Sequence, residues 1–170
     1  MQSESARSTT AEQSRFRINA PNSKLRAVKV IALDREAEPV VKRLAALKWN
    51  GAAFFTASAF AAQPHSGKDF SMTGWLADLA GRSRDLVNEV NAADLVVMVA
   101  TAGESAAAAS IIGEACSLKR VMTTGLIVGG ATASDEALSK TLSQLRPWSL
   151  MLVIANADDY IEDMLTALRA

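Results

Sequence analysis

Asp94-Leu95-Val96-Val97-Met98-Val99-Ala100-Thr101 (DLVVMVAT) is an unbroken apolar run closed by a polar residue at each end. Its length suits a strand. The lack of apolar/polar alternation predicts that both faces are buried, as in the middle of a parallel sheet covered by helices. Working outward, residues 105–118 form an Ala-rich helical stretch and residues 121–128 a second apolar strand that stops at Gly129-Gly130. Ser134 is the expected N-cap of a helix to about residue 145, ended by Arg146-Pro147. Residues 150–155 and 158–168 complete the series as a strand and a closing helix.

Toward the N-terminus, residues 27–33 and 52–57 are strand-like. Between them Val40, Val41, Leu44 and Leu47 recur at helical spacing, with Pro39 in the first turn. Residues 59–72 form the longest expected loop, with a short edge strand inside it, and contain His65. Residues 73–91 are expected as one helix, weakened by Gly81 at about 1 kcal/mol relative to Ala. Residues 1–24 hold no apolar run and are expected to be a flexible tail, leaving 25–170 as one α/β domain. Strands alternating with helices predict a three-layer sandwich on a mostly parallel sheet.

Composition narrows the function classes. Hydrophobic residues are 49% and charged residues 21% of the chain, enough apolar content for a sizeable core. Lys+Arg and Asp+Glu both number 18, a balance that predicts neither nucleic acid nor an anionic membrane as partner. Charge is polarised: residues 1–29 carry an excess of basic side chains and residues 135–170 an excess of acids. Cys116 and His65 are each alone, which rules out an internal disulfide and any multi-Cys or multi-His metal site. No apolar stretch nears the ~18 residues of a membrane span and no secretory signal is present, so a cytoplasmic protein is expected.

Four segments in order (residues 28–58, 91–103, 108–128 and 142–165) resemble the nucleotide-binding domain of the tubulin/FtsZ family. The resemblance implies a Rossmann-like sheet with strand order 3-2-1-4-5-6. It also shows what is missing. Where the family has glycines after its first strand, this chain has Asp34-Arg35-Glu36-Ala37-Glu38-Pro39. Where the family has its GGGTGTG loop, it has Gly103-Glu104-Ser105-Ala106, and Ser58-Ala59-Phe60 replaces the Asn-Thr-Asp after the second strand. Glycine lets backbone N–H groups close on a phosphate, whereas carboxylates repel it by about 4 kcal/mol at ~4 Å and an effective dielectric near 20. GTP hydrolysis is therefore not expected.

In such sheets ligands bind beyond the strand carboxyl ends. The candidate ligand-binding residues are Asp34, Thr101, Gly103, Glu104, Ser105, Gly129, Gly130 and Asn156, with Asp34, Glu36, Glu38 and Glu104 able to converge. No catalytic residue, metal site or cofactor is assigned. The first functional expectation is a non-catalytic, FtsZ-like domain working through a protein partner or homo-oligomer. Its contact surface would be an apolar patch around Phe54–Phe60 and Trp75. The alternative, from the likeness of residues 101–105 to the turn of sugar-isomerase domains, is a small-molecule ligand of the sugar-phosphate class held by Ser105 and Thr101. Ser105 as a plain helix cap is the simpler reading of the same residues.

Overall fold

Leu95–Thr101 is an interior strand of the computed structural model, which describes residues 25–61, 76–156 and 158–170. Counting strands in chain order, it is β5, after β1 (Val28–Ala32), β2 (Ala52–Thr56), β3 (Leu76–Asp78) and β4 (Ser83–Arg84). β6 (Met122–Val128) and β7 (Met151–Ala155) follow it. They form one sheet in the order β4-β3-β2-β1-β5-β6-β7. β5 lies parallel between β1 and β6, with Val28 opposite Leu95 and Leu95 opposite Met122.

The helices are α1 (Glu38–Ala45), a single turn α2 (Ser58–Ala61), α3 (Leu86–Asn91), α4 (Ala108–Lys119), α5 (Asp135–Leu145) and α6 (Asp158–Ala167). Because successive strand residues point to opposite faces, β5 feeds two cores. Leu95, Val97 and Val99 join Val41, Leu44, Ile161 and Leu165 from α1 and α6. Val96, Met98 and Ala100 join Leu86, Ile112, Cys116 and Leu145 from α3, α4 and α5. The molecule is thus a three-layer, Rossmann-like α/β sandwich. Burial pushes the Cys116 thiol up to about 12, so it stays a protonated core side chain. Among the described residues no helix is long and apolar enough to cross a membrane.

The expected third strand needs correction. Inside the stretch expected as one helix (73–91), residues 76–84 form an antiparallel hairpin that extends the sheet beyond β2, and of the described residues 76–91 only α3 is helical. Gly81 takes φ +80, a left-handed value that ends a helix. The Asp78 carboxylate accepts the N–H groups of Ala80 and Arg82 at 3.0 Å each, locking the turn. Asp85 then caps α3, accepting Val87 N–H at 2.9 Å. Parallel order therefore stops at β2, and a hairpin takes the place of one parallel edge strand.

The tail (1–24), His65, Trp75 and the edge strand expected within 59–72 lie outside the described residues, as does the Phe60 side chain. Of the remaining expected patch, Phe55 is buried and Phe54 packs near Trp49, ring centroids 6.3 Å apart. Among the described residues, exposed large apolar side chains include Leu118, Met122, Leu150, Met151 and Ile154.

Candidate functional site

The carboxyl ends of β1 and β5 are neighbours, and past β1 the chain turns into α1. Asp34 stands at this turn, 7% exposed. One of its carboxylate oxygens, Oδ1, accepts the Ala37 N–H at 2.8 Å and the Thr101 hydroxyl at 3.0 Å. The other, Oδ2, accepts the Thr101 N–H at 2.7 Å. Backbone N–H groups beside a helix start are what a phosphate would use. Here they are held by a carboxylate of the chain itself.

The turn after β5 is engaged from a second direction. Gly103, at φ +92, donates its N–H to the Thr141 hydroxyl at 3.0 Å. Ala106 N–H donates to Gln144 Oε1 at 2.6 Å, and Lys140 Nζ donates to the Gly103 carbonyl at 3.2 Å. Thr141, fully buried, also touches the Glu104 carbonyl at 3.1 Å. Three side chains of α5 therefore grip the turn. Ser105 is exposed and accepts Ala107 N–H at 3.4 Å, so it steadies the turn, while α4 starts three residues later without a side-chain cap.

The four acids expected to converge are dispersed. Glu38 turns toward β2, accepting the Thr56 hydroxyl at 2.9 Å and that of Ser58, with Lys42 Nζ 3.8 Å away. Burial alone would raise its pKa. The hydrogen bonds from Ser58 and Thr56 and the charges of Lys42 and Arg35 outweigh that, leaving it below the ordinary 4.5. Glu36 and Glu104 are exposed. Among the described residues no group of three or more His, Cys, Asp or Glu stands together to hold a metal ion.

Gly129 lies in the next row, at φ +74, where an added Cβ would sit 3.9 Å from Thr101 Cγ2. Its carbonyl accepts Thr132 N–H at 3.3 Å, a plain turn. Gly130 sits beneath Ile154, which would stand 2.5 Å from an added Cβ, with Asn156 beside it and exposed. The structure thus joins Asp34, Thr101 and Gly129 in one row and sets Gly130 and Asn156 toward the β7 edge. A shallow depression of about 430 Å³ beside the Gly103 turn is lined by Ser134, Glu136, Ala137 and Lys140. Ser134 there already caps α5, accepting Ala137 N–H at 3.2 Å.

Sequence reasoning missed Thr141 and Gln144. One signal was legible: Thr141 shares the core-facing spacing of Leu138, Leu142 and Leu145, where a hydroxyl needs a polar partner. A second hollow, about 360 Å³, opens at the opposite, amino ends of β6 and β7 among Gly113, Arg120, Met122, Trp148 and Leu150.

No protein-family model matches the chain, and no curated protein matches it. Among solved structures it is similar to translation elongation factor SelB from Methanococcus maripaludis in complex with the GTP analogue GppNHp. That match has 12% identity and a TM-score of 0.49, and covers 87% of this chain and 34% of that one. The apo form of the same factor aligns at 11% identity and a TM-score of 0.45, covering 85% and 36%. The chain spans about a third of the length of these structures. These neighbours overturn the tubulin/FtsZ resemblance drawn from the apolar pattern: both are structures of translation elongation factor SelB, not of tubulin or FtsZ. The pattern of a β-branched strand, a helix and a second strand belongs to the sandwich in general, which is why it misled.

Proposed function

We propose that this chain is a non-catalytic α/β domain of the cytoplasm that acts through protein–protein contacts and does not hydrolyse GTP. The observation that supports this reading is the Asp34 carboxylate seated on the N–H groups of Ala37 and Thr101. An incoming phosphate must displace that carboxylate or share its place. Displacement gives up hydrogen bonds to a charged group, each worth about 1.5–3 kcal/mol. Sharing sets like charges at contact distance, on the order of 4 kcal/mol at an effective dielectric near 20. Either loss weakens binding by roughly a thousandfold, since every 1.4 kcal/mol is tenfold. The donors of Gly103 and Ala106 are engaged by Thr141 and Gln144, which weighs in the same direction against a sugar phosphate.

Equilibrium binding of fluorescent GTP and GDP with Mg²⁺ to the full chain tests the reading, with a phosphosugar as competitor. No saturable signal up to millimolar ligand is expected. Saturable micromolar binding of either nucleotide, or of the phosphosugar alone, would overturn it.

A further inference from the structure

The two edges of the sheet are unlike. β4 is two residues long, and Arg82 and Arg84 pair with Asp78 beside it at 2.9 and 3.5 Å, the charged, short form that resists strand addition. β7 has five residues, Met-Leu-Val-Ile-Ala, and the sequence from Pro147 to Ala157 contains no ionisable side chain. Ile154 is 40% and Met151 39% exposed, and Leu150, just before the strand, is 80% exposed. Among the described residues β7 pairs with β6 alone, and the helix after it does not cover its outer side. α6 runs inward, packing Ile161 and Leu165 with Val28 and Val41, and beyond it the Arg169 carbonyl accepts Arg26 N–H at 3.1 Å.

The hydrogen-bonding row on this edge is symmetric about its own centre. Leu150 N–H bonds to Thr123, toward β6. By the alternation of a strand, Leu152 and Ile154 also point their backbone groups to β6, and Met151, Val153 and Ala155 point theirs outward. Each of those three carries one donor and one acceptor. A two-fold axis through Val153 pairs Val153 with its own copy and Met151 with Ala155 of the copy, which satisfies every outward group. The same operation places Ile154 against Leu152 of the copy, an apolar cross-strand pair. Like faces like about a two-fold axis, and only an uncharged strand tolerates that. Antiparallel pairing also brings the acidic sequence that follows β7 (residues 158–163) toward the end of the copy that carries Arg146, opposite in charge.

We propose, resting on the protein-contact reading above, that β7 is a self-association edge. Two copies of this chain join antiparallel through β7, centred on Val153, into one continuous sheet. A contact made by one five-residue strand is small beside a standard interface, so a weak, concentration-dependent pair is expected.

Sedimentation equilibrium of the full chain across ~5–500 μM, where mass action moves such a pair, reads the mass against the 18.0 kDa of one chain. The expected result is a rise to twice that mass. Ile154→Lys should weaken the pair at least about tenfold, by loss of apolar cross-strand pairs and like charges on one face. Leu118→Lys, exposed but off the strand, should leave it unchanged, and circular dichroism checks that both variants fold. On oxidation Val153→Cys should cross-link to its copy and Met151→Cys should not, since Cys116 is buried. A monomer throughout, a dimer indifferent to Ile154→Lys, or cross-linking at 151 instead of 153 would overturn the β7 pair. The nucleotide titration run on the same samples separates the readings. A monomer that ignores nucleotide removes only the dimer, whereas nucleotide binding removes the non-catalytic reading.

Discussion

Replacing Asp34 by Ala strips the N–H groups of Ala37 and Thr101 of their acceptor at a position water reaches poorly. A buried donor left unpaired costs about 1–3 kcal/mol, so urea titration of Asp34→Ala should show a loss of at least about 2 kcal/mol. A loss below about 0.5 kcal/mol would mean that the carboxylate is not structural. Thr141→Val tests the second clamp at nearly constant volume. It removes the acceptor of Gly103 N–H and should cost about 1–2 kcal/mol in the same assay. Glu38 gives a pH signature. Its folded pKa lies below the ordinary 4.5, so its stabilising contribution is complete above that value and is lost as pH falls through the depressed one. Glu38→Gln should therefore flatten part of the acid limb of a stability–pH curve below about pH 4.5 and be nearly level with the parent slope above it.

At the level of the elements, Gly113 inverts an ordinary rule. In a helix interior Gly→Ala usually stabilises by about 1 kcal/mol. In α4 an added Cβ would stand 2.6 Å from Trp148 Cβ and 2.7 Å from Trp148 Cε3, with the ring carried on the turn before β7. Gly113→Ala should thus destabilise by about 1–3 kcal/mol, measured as a fall in thermal midpoint, and a gain would show that Trp148 moves freely aside. The parallel strands were legible because unbroken apolar runs such as 95–100 leave few alternatives, and Ser134 was legible as a cap because it precedes a periodic helix. The hairpin of β3 and β4 was not. Leu76, Leu79, Leu86 and Val90 have helical spacing, and the side chains that overrule it, Asp78 and Asp85, act through turn and cap bonds that periodicity does not record.

For the molecule as a whole, the three-layer sandwich follows from alternation of strands and helices, and its strand order from β1 to β7 places Asp34 and Thr101 side by side. The sequence made Asp34, Thr101, Gly103 and Ser105 candidates because they fall at strand ends. It gave no means of seeing that Asp34 folds back onto N–H groups, because that contact joins residues 67 apart. Nor did it locate the exposed apolar side chains of β7, Met151 and Ile154, which stand out among the described residues. Which apolar side chains stay uncovered depends on where each helix crosses the sheet.

The central claim is that the chain fills its own anion cradle. Amide NMR of the full chain, titrated with Mg²⁺–GDP and then inorganic phosphate, reads it at the donors themselves. The account predicts that the N–H resonances of Ala37, Thr101, Gly103 and Ala106 stay in place up to millimolar ligand. A saturable shift confined to those amides would contradict it and return the strand ends to use as a phosphate site.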